Sequence, residues 1–237
     1  MGAAFIEIDI AGKRLVFSGD IGRTEDVLLE PPQKPEQADL LFLETTYGDR
    51  LHPNEDAEQR ILDIIRQTYF DSGTLIVPSF AVERTQTLMY LLWQLREKDL
   101  MPNIPVYMDS PMGADVLQVF HRAIGWHNLS EEDCTKMCRK IHRTTSFRET
   151  WEILDDPKPK VVIAGSGMLT GGRVLSYLKY YLERPETRIL LVGFQAEGTR
   201  GRWLLEGATD LKIYGRYYPV KAQVISMESL SGHADQD

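Results

Sequence analysis

An aspartate, a glutamate and a histidine stand far apart in this sequence, each in or beside a loop rich in glycine, serine or threonine. Asp20 lies in SGDIGR, Glu44 ends DLLFLE, and His233 lies in LSGHAD. Brought together, these residue types bind metal or perform acid–base chemistry. Turn and loop roles explain each of them singly just as well. A second set marks the ends of apolar strands: Ser79 in PSF, Ser110 in DSP, Ser166 in Gly165-Ser166-Gly167, and Gln195 in GFQ. Hydroxyls and glycine N–H groups at the starts of helices suit phosphate oxygens. Turn and capping chemistry accounts for any one such junction. Four of them in one region point to an anion-binding face. Arg84, Arg173, Arg200 and Arg202 follow these junctions. An arginine opposes the dipole at a helix start, so bidentate phosphate contact is a natural use for it. Solvation of an exposed surface is the alternative.

Other motifs carry less. GSGMLTG (165–171) is spaced G-x-G-x-x-x-G and the next strand ends without an acidic residue, so a dinucleotide site is disfavoured. No phosphate loop of the form G-x-x-x-x-G-K-[ST] is present. Cys134, Cys138 and His142 are spaced to share one face of a continuous helix. Three metal ligands without a fourth are weak, and ordinary helix residues are the better reading.

The elements that must position these residues follow from periodicity. Strands are expected at 5–10 and 13–17 around the turn Ala11-Gly12, and a buried strand at 39–44. From residue 53 the style changes to strand–loop–helix repeats, the mark of a mostly parallel sheet covered by helices. Helices are expected at 55–69, 83–98, 113–122 and 173–182, with two shorter ones within 130–155 and one near Trp203. Strands are expected at 74–77, 105–108, 160–164 and 188–192. From Leu211 the strand-rich style of the beginning returns. The pattern is an α/β domain over 53–209 inserted into a β-richer domain built from 1–52 and 210–237.

Composition narrows the class. At 237 residues, with 43% hydrophobic residues, the chain can bury a core. A net charge of −8 argues against a general basic coat for nucleic acid and leaves room for a local basic channel. The apolar runs are too short to span a bilayer. With no basic leader and two cysteines, a cytoplasmic location is expected, with no membrane partner.

The segments SGDIGR, LETTYGDRLH, PSFAVERTQ, YMDSPM, GSGMLTGGR, GFQAEGTRGR and LSGHAD occur in this order along nearly the whole chain. Together they resemble the metallo-β-lactamase-fold nucleases that carry an inserted β-CASP domain, the RNA-processing relatives of the cleavage-and-polyadenylation nuclease, and most of all their bacterial members. The resemblance implies a β-CASP α/β domain set into a partial metallo-β-lactamase αββα domain. It implies a zinc-dependent ribonuclease that attacks a phosphodiester with metal-activated hydroxide. Asp20 matches the aspartate bridging two zinc ions. Glu44 matches the acidic residue that orients a histidine. His233 matches the histidine that acts as general acid. Ser79, Arg84, Ser110, Gly165, Ser166, Gly167, Arg173, Thr199 and Arg200 lie where the family holds the RNA backbone.

Two departures stand beside the match. The family's H-x-H-x-D-H motif is absent, since the five histidines are His52, His121, His127, His142 and His233. Asp20 alone cannot hold two zinc ions. Glu83 stands before Arg84 where relatives often carry a small residue. Both ends are expected to be cut inside a domain, making the chain a fragment of an active nuclease or a natural remnant that binds RNA without cutting it. On either account the chain alone is expected to be inactive. Open sheet edges would favour a homodimer or poor solubility.

Overall fold

The turn Ala11-Gly12 takes positive φ at both residues, 51° and 74°. It folds strand β1 (Ile6–Ile10) antiparallel onto β2 (Lys13–Phe17). Strand β3 (Leu40–Phe42) adds in parallel beside β2. The expectation of a buried strand at 39–44 is corrected here. Leu40, Leu41 and Phe42 are 52, 49 and 46% exposed, because β3 is the edge of a narrow three-stranded sheet. At its centre, Val16 is fully buried. The computed structural model describes residues 3–236.

The middle of the chain alternates as its periodicity requires. Helix α1 (Ala57–Phe70) starts at Asp56, whose carboxylate accepts from Gln59 N. Strand β4 (Thr74–Pro78), α2 (Arg84–Glu97), β5 (Val106–Asp109), α3 (Pro111–Arg122) and α4 (Glu131–Lys140) follow. Next come β6 (His142–Thr144), α5 (Phe147–Asp155), β7 (Lys160–Ala164) and α6 (Val174–Tyr181). Strand β8 (Arg188–Val192) leads to α7 (Arg200–Leu205), the hairpin β9 (Asp210–Ile213) and β10 (Arg216–Pro219), and β11 (Gln223–Met227). Strands β11-β8-β4-β7-β5-β6 form one six-stranded sheet, parallel at every pairing.

Both faces of this sheet are covered, which is why its strands lack polar alternation. Leu75, Val77, Val161, Ile163, Leu190 and Val192 point to one side and pack with α1 to α4. Ile76, Val162, Ala164, Ile189 and Leu191 point to the other and pack with α5 to α7 and β9.

Two expectations change. Residues 130–155 hold a strand between their two helices, because Tyr107 of β5 pairs with His142 and extends the sheet. Cys134 and Cys138 lie on α4 and His142 on β6, so they do not share a helix face. After residue 209 the chain returns to the central sheet. β11 pairs with β8 before the loop of His233 begins.

The loop after β7 depends on one close approach. Gly172 has φ +73°, and a Cβ there would lie 2.4 Å from the Gly165 carbonyl oxygen. Gly172→Ala is expected to lower stability by about 1–3 kcal/mol in thermal or denaturant unfolding. An unchanged midpoint would show that this loop relaxes freely.

Candidate active site

The carboxyl ends of β4 and β8 lead into loops that meet the chain's first and last segments. Glu44 stands where these segments join. Its Oε1 accepts from Ile21 N at 3.0 Å and its Oε2 from Thr46 N at 3.0 Å. His233 Nδ1 lies 3.1 Å from Glu44 Oε1, across 189 residues of chain. Burial pushes the Glu44 carboxyl up, but hydrogen bonds from Thr46, Ile21 and His233 outweigh it and hold the group below its ordinary range. The ionised carboxylate accepts a hydrogen bond from Nδ1–H, so Nε2 is the ring nitrogen left for exchange.

The histidine loop is fastened on both sides. Gly22 and His233 form an antiparallel bridge, and Ala234 N donates to Ile21 O at 2.7 Å. His52 Nε2 lies 2.8 Å from His233 O, and Asp235 Oδ2 accepts from His52 N at 2.7 Å. The buried Tyr47 ring packs edge-on to His52 at 4.8 Å and to Phe194 at 6.0 Å.

The other expected residues sit close by, yet most face inward. Ser79 is buried and lies 3.0 Å from Thr85 Oγ1. Ser110 caps α3, its Oγ accepting from Gly113 N. Ser166 Oγ accepts from Thr170 N at 3.0 Å and Gly171 N at 3.2 Å, closing its own loop. A Cβ on Gly165 would lie 3.4 Å from Ser110 Oγ and 3.7 Å from Ser79 O, so the three strand-end loops converge. A Cβ on Gly167 would lie 2.6 Å from the Phe80 ring. Thr199 caps α7 by accepting from Arg202 N at 3.3 Å.

The arginines are internal struts rather than free anion ligands. Arg84 is 6% exposed and pairs with Glu83 at 3.1 Å. Arg173 is 8% exposed, stacks 3.6 Å over the Phe147 ring and donates to Thr150. It also faces Asp109 at 3.8 Å. Arg200 spends its Nε on the Lys212 carbonyl at 2.6 Å and its Nη1 on that of Leu169 at 3.1 Å. Ser79, Ser110 and Arg173, expected at an open phosphate surface, are buried and make contacts within the fold.

Sequence reasoning missed the groups that hold these struts. Asp109 is fully buried and accepts from Thr150 Oγ1 and Tyr177 OH, both at 2.7 Å. Burial pushes its carboxyl up, against Thr150, Tyr177 and Arg173. Gln195, already marked by its place at a strand end, wedges between two loops, donating to Gly167 O at 3.3 Å. A polar residue at a buried strand end was the signal for Asp109; Thr150 on its helix gave none.

Asp20 is exposed in the same loop as Ile21. Among the described residues, no three His, Cys, Asp or Glu side chains gather as a metal set. One carboxylate does not match the several nitrogen and oxygen ligands that a zinc pair needs, so these residues do not fit the pair that the resemblance implies.

Replacing Glu44 tests the junction. Glu44→Gln brings an NH2 group toward amides that also donate, and is expected to cost about 1–3 kcal/mol at neutral pH. A carboxyl held low in the folded state contributes stability above its unfolded value, and that contribution is lost as pH falls through the folded value. The stability gap between wild type and variant therefore closes in acid, and a gap that stays constant through that range would show that the charge plays no part.

The chain is similar to known proteins along its whole length. The Beta-Casp domain family matches residues 85–204. The chain is 36% identical to Ribonuclease TTHA0252 of Thermus thermophilus, over all of this chain and 56% of that protein. It is 28% identical to an RNase J-like protein of Methanocaldococcus jannaschii, over 99% of this chain and 56% of the other. Identity to the transcription termination factor FttA of the same organism is 32%, over 94% of this chain and 37% of the other. The chain thus spans about half the length of the first two relatives and less of the third. With a parallel α/β sheet, the matching domain and these relatives, the chain belongs to the β-CASP family of ribonucleases.

Proposed function

We propose that the chain is part of a ribonuclease that hydrolyses RNA phosphodiester bonds, with His233 as general acid and Glu44 as its positioning residue. The Glu44–His233 contact, 3.1 Å long, carries this reading. A carboxylate on Nδ1 fixes the ring's tautomer and orientation, as an acid–base histidine requires. Protonated His233 then gives the Nε2 proton to the leaving oxygen as water adds to phosphorus and the old phosphorus–oxygen bond breaks. Phe80 and Phe194, 47 and 37% exposed on the same rim, offer ring faces on which bases stack. The ribonuclease names of two relatives support RNA as substrate.

Zinc dependence belongs to the whole protein in this proposal, and no step here runs through the metal. Among the described residues no helix is long and apolar enough to cross a membrane, and a cytoplasmic setting is part of the same reading. The lone acid Asp20 favours a second reading, an RNA-binding module that does not cut. Labelled RNA and the full-length protein separate the two. In the first reading, His233→Ala lowers cleavage by about 10²- to 10⁴-fold with RNA affinity unchanged. Full-length protein that binds RNA and leaves it intact would establish the second.

The three-stranded sheet has a further consequence for the isolated chain. Ile6 and Ile10 are each 60% exposed on one face of β1. We expect this face to pair with a second copy. Light scattering should show association that Ile6→Lys/Ile10→Lys abolishes, and a monomeric wild-type chain would refute it.

A further inference from the structure

The strand-end site uses the carboxyl rim of the six-stranded sheet. At the opposite rim, the last turns of α3 and α4 and the first residues of β6 line a separate open cavity of about 570 Å³. That volume lies in the range of small-molecule sites. Arg122, Arg139 and Arg143 reach it from three different elements, and no acidic residue lines it. All three are exposed, and none forms an ion pair among the described residues. The neighbouring lysines of α4 differ, since Lys136 pairs with Glu132 at 2.8 Å and Lys140 with Glu97 at 3.8 Å.

Helix ends explain part of this charge. Arg122 and Arg139 lie in the last turns of α3 and α4, where cations complement the dipole. Each helix end carries about half a negative charge, about one in total, against about three positive charges from the arginines. A surplus of about two remains, in a chain whose net charge is −8. Arg143 stands on β6, outside either helix end. The floor is polar as well, with His121 Nε2 lying 3.1 Å from Thr135 Oγ1. Leu117 and Ile141 border the cavity from the core and are themselves buried.

We propose that this cavity is a nucleotide site, in which the three exposed guanidinium groups take phosphate oxygens and offer planar faces on which the base stacks. The nucleotide is either free or one unit of an RNA strand, and the two share the recognised chemistry. Arginine forks suit phosphate bidentately.

Cys138 lines the same cavity and reports on it. It is half-buried, whereas Cys134 is fully buried. A hydrogen bond from Cys134 and the nearby Arg143 charge, set against burial, hold the Cys138 thiol below its ordinary value. It should therefore react with iodoacetamide ahead of Cys134. The alkylation rate of Cys138, read by mass spectrometry, is measured with AMP, with a short single-stranded RNA, and in their absence. Occupancy is expected to slow alkylation about fivefold or more at about 1 mM ligand. Arg122→Gln/Arg139→Gln is expected to remove this protection, leaving Cys138 and Arg143 in place. Calorimetric AMP or RNA affinity should fall at least about tenfold in the same variant. Protection by AMP alone assigns a free nucleotide, protection by RNA alone assigns the strand, and protection by both assigns a site open to either. Failure of both ligands to slow alkylation would overturn the proposal, as would protection undiminished in the variant.

Discussion

A parallel strand cannot be followed by its neighbour without crossing back over a face of the sheet. That constraint organises this molecule. Every crossover helix or hairpin lies on one of two faces, so all six strands point their carboxyl ends the same way. The loops after β4, β5, β7 and β8 are thereby gathered at one rim, though their residues are spread from Ser79 to Gln195. The close packing of Gly165 against Ser110 and Ser79 is a direct result. The opposite rim receives the ends of α3 and α4, so it collects basic last-turn residues where the first rim collects glycine and serine.

Gathering loops at a rim also gathers backbone groups and charges that must be satisfied. The fold meets this with side chains that look like ligand contacts when seen in sequence alone. Arg200 braces carbonyls from two separate segments. Arg173 is held between the Phe147 ring and the Asp109–Thr150–Tyr177 cluster, which ties α5 and α6 to the end of β5. A buried carboxylate with only neutral donors would be costly, and the guanidinium 3.8 Å away offsets that cost. Stiff loops are what an acid–base pair needs, because a ring misplaced by an ångström loses much of its effect.

The architecture was largely legible because it rests on local periodicity. All-apolar runs such as VVIA and LIVP, joined by amphipathic segments, can be satisfied only as covered parallel strands. Glu44 and His233 were legible through the motifs around them, since nothing local links two residues 189 apart. The inward turn of Ser79, Ser110 and Arg173 was not legible, because a capping serine and a phosphate-binding serine look alike before their neighbours are placed. Strand β6 was missed for a related reason: three residues with polar neighbours show no period, and their pairing with Tyr107 to Asp109 decides the conformation. The exposure of β3 depends on what packs over it, which its own sequence of leucines and phenylalanine does not record.

Glu83 shows how far the two ends of the chain constrain each other. It has φ 63° and ψ −63°, a backbone region that suits glycine better than a glutamate. Its carboxylate is pushed up by burial and held by Arg84 at 3.1 Å and Thr87 at 3.1 Å. Against this pair lies Gly232, where a Cβ would meet Arg84 Nη2 at 2.9 Å and Glu83 Oε2 at 3.0 Å. The histidine loop therefore rests on an ion pair from the start of α2, one residue before His233. Glu83 is the counterion of the buried Arg84, and the same pair lies under the histidine loop. A small residue at this position would relieve the backbone and free the guanidinium, at the cost of the support beneath the loop. In this chain, positioning of His233 and neutralisation of Arg84 are one structural event.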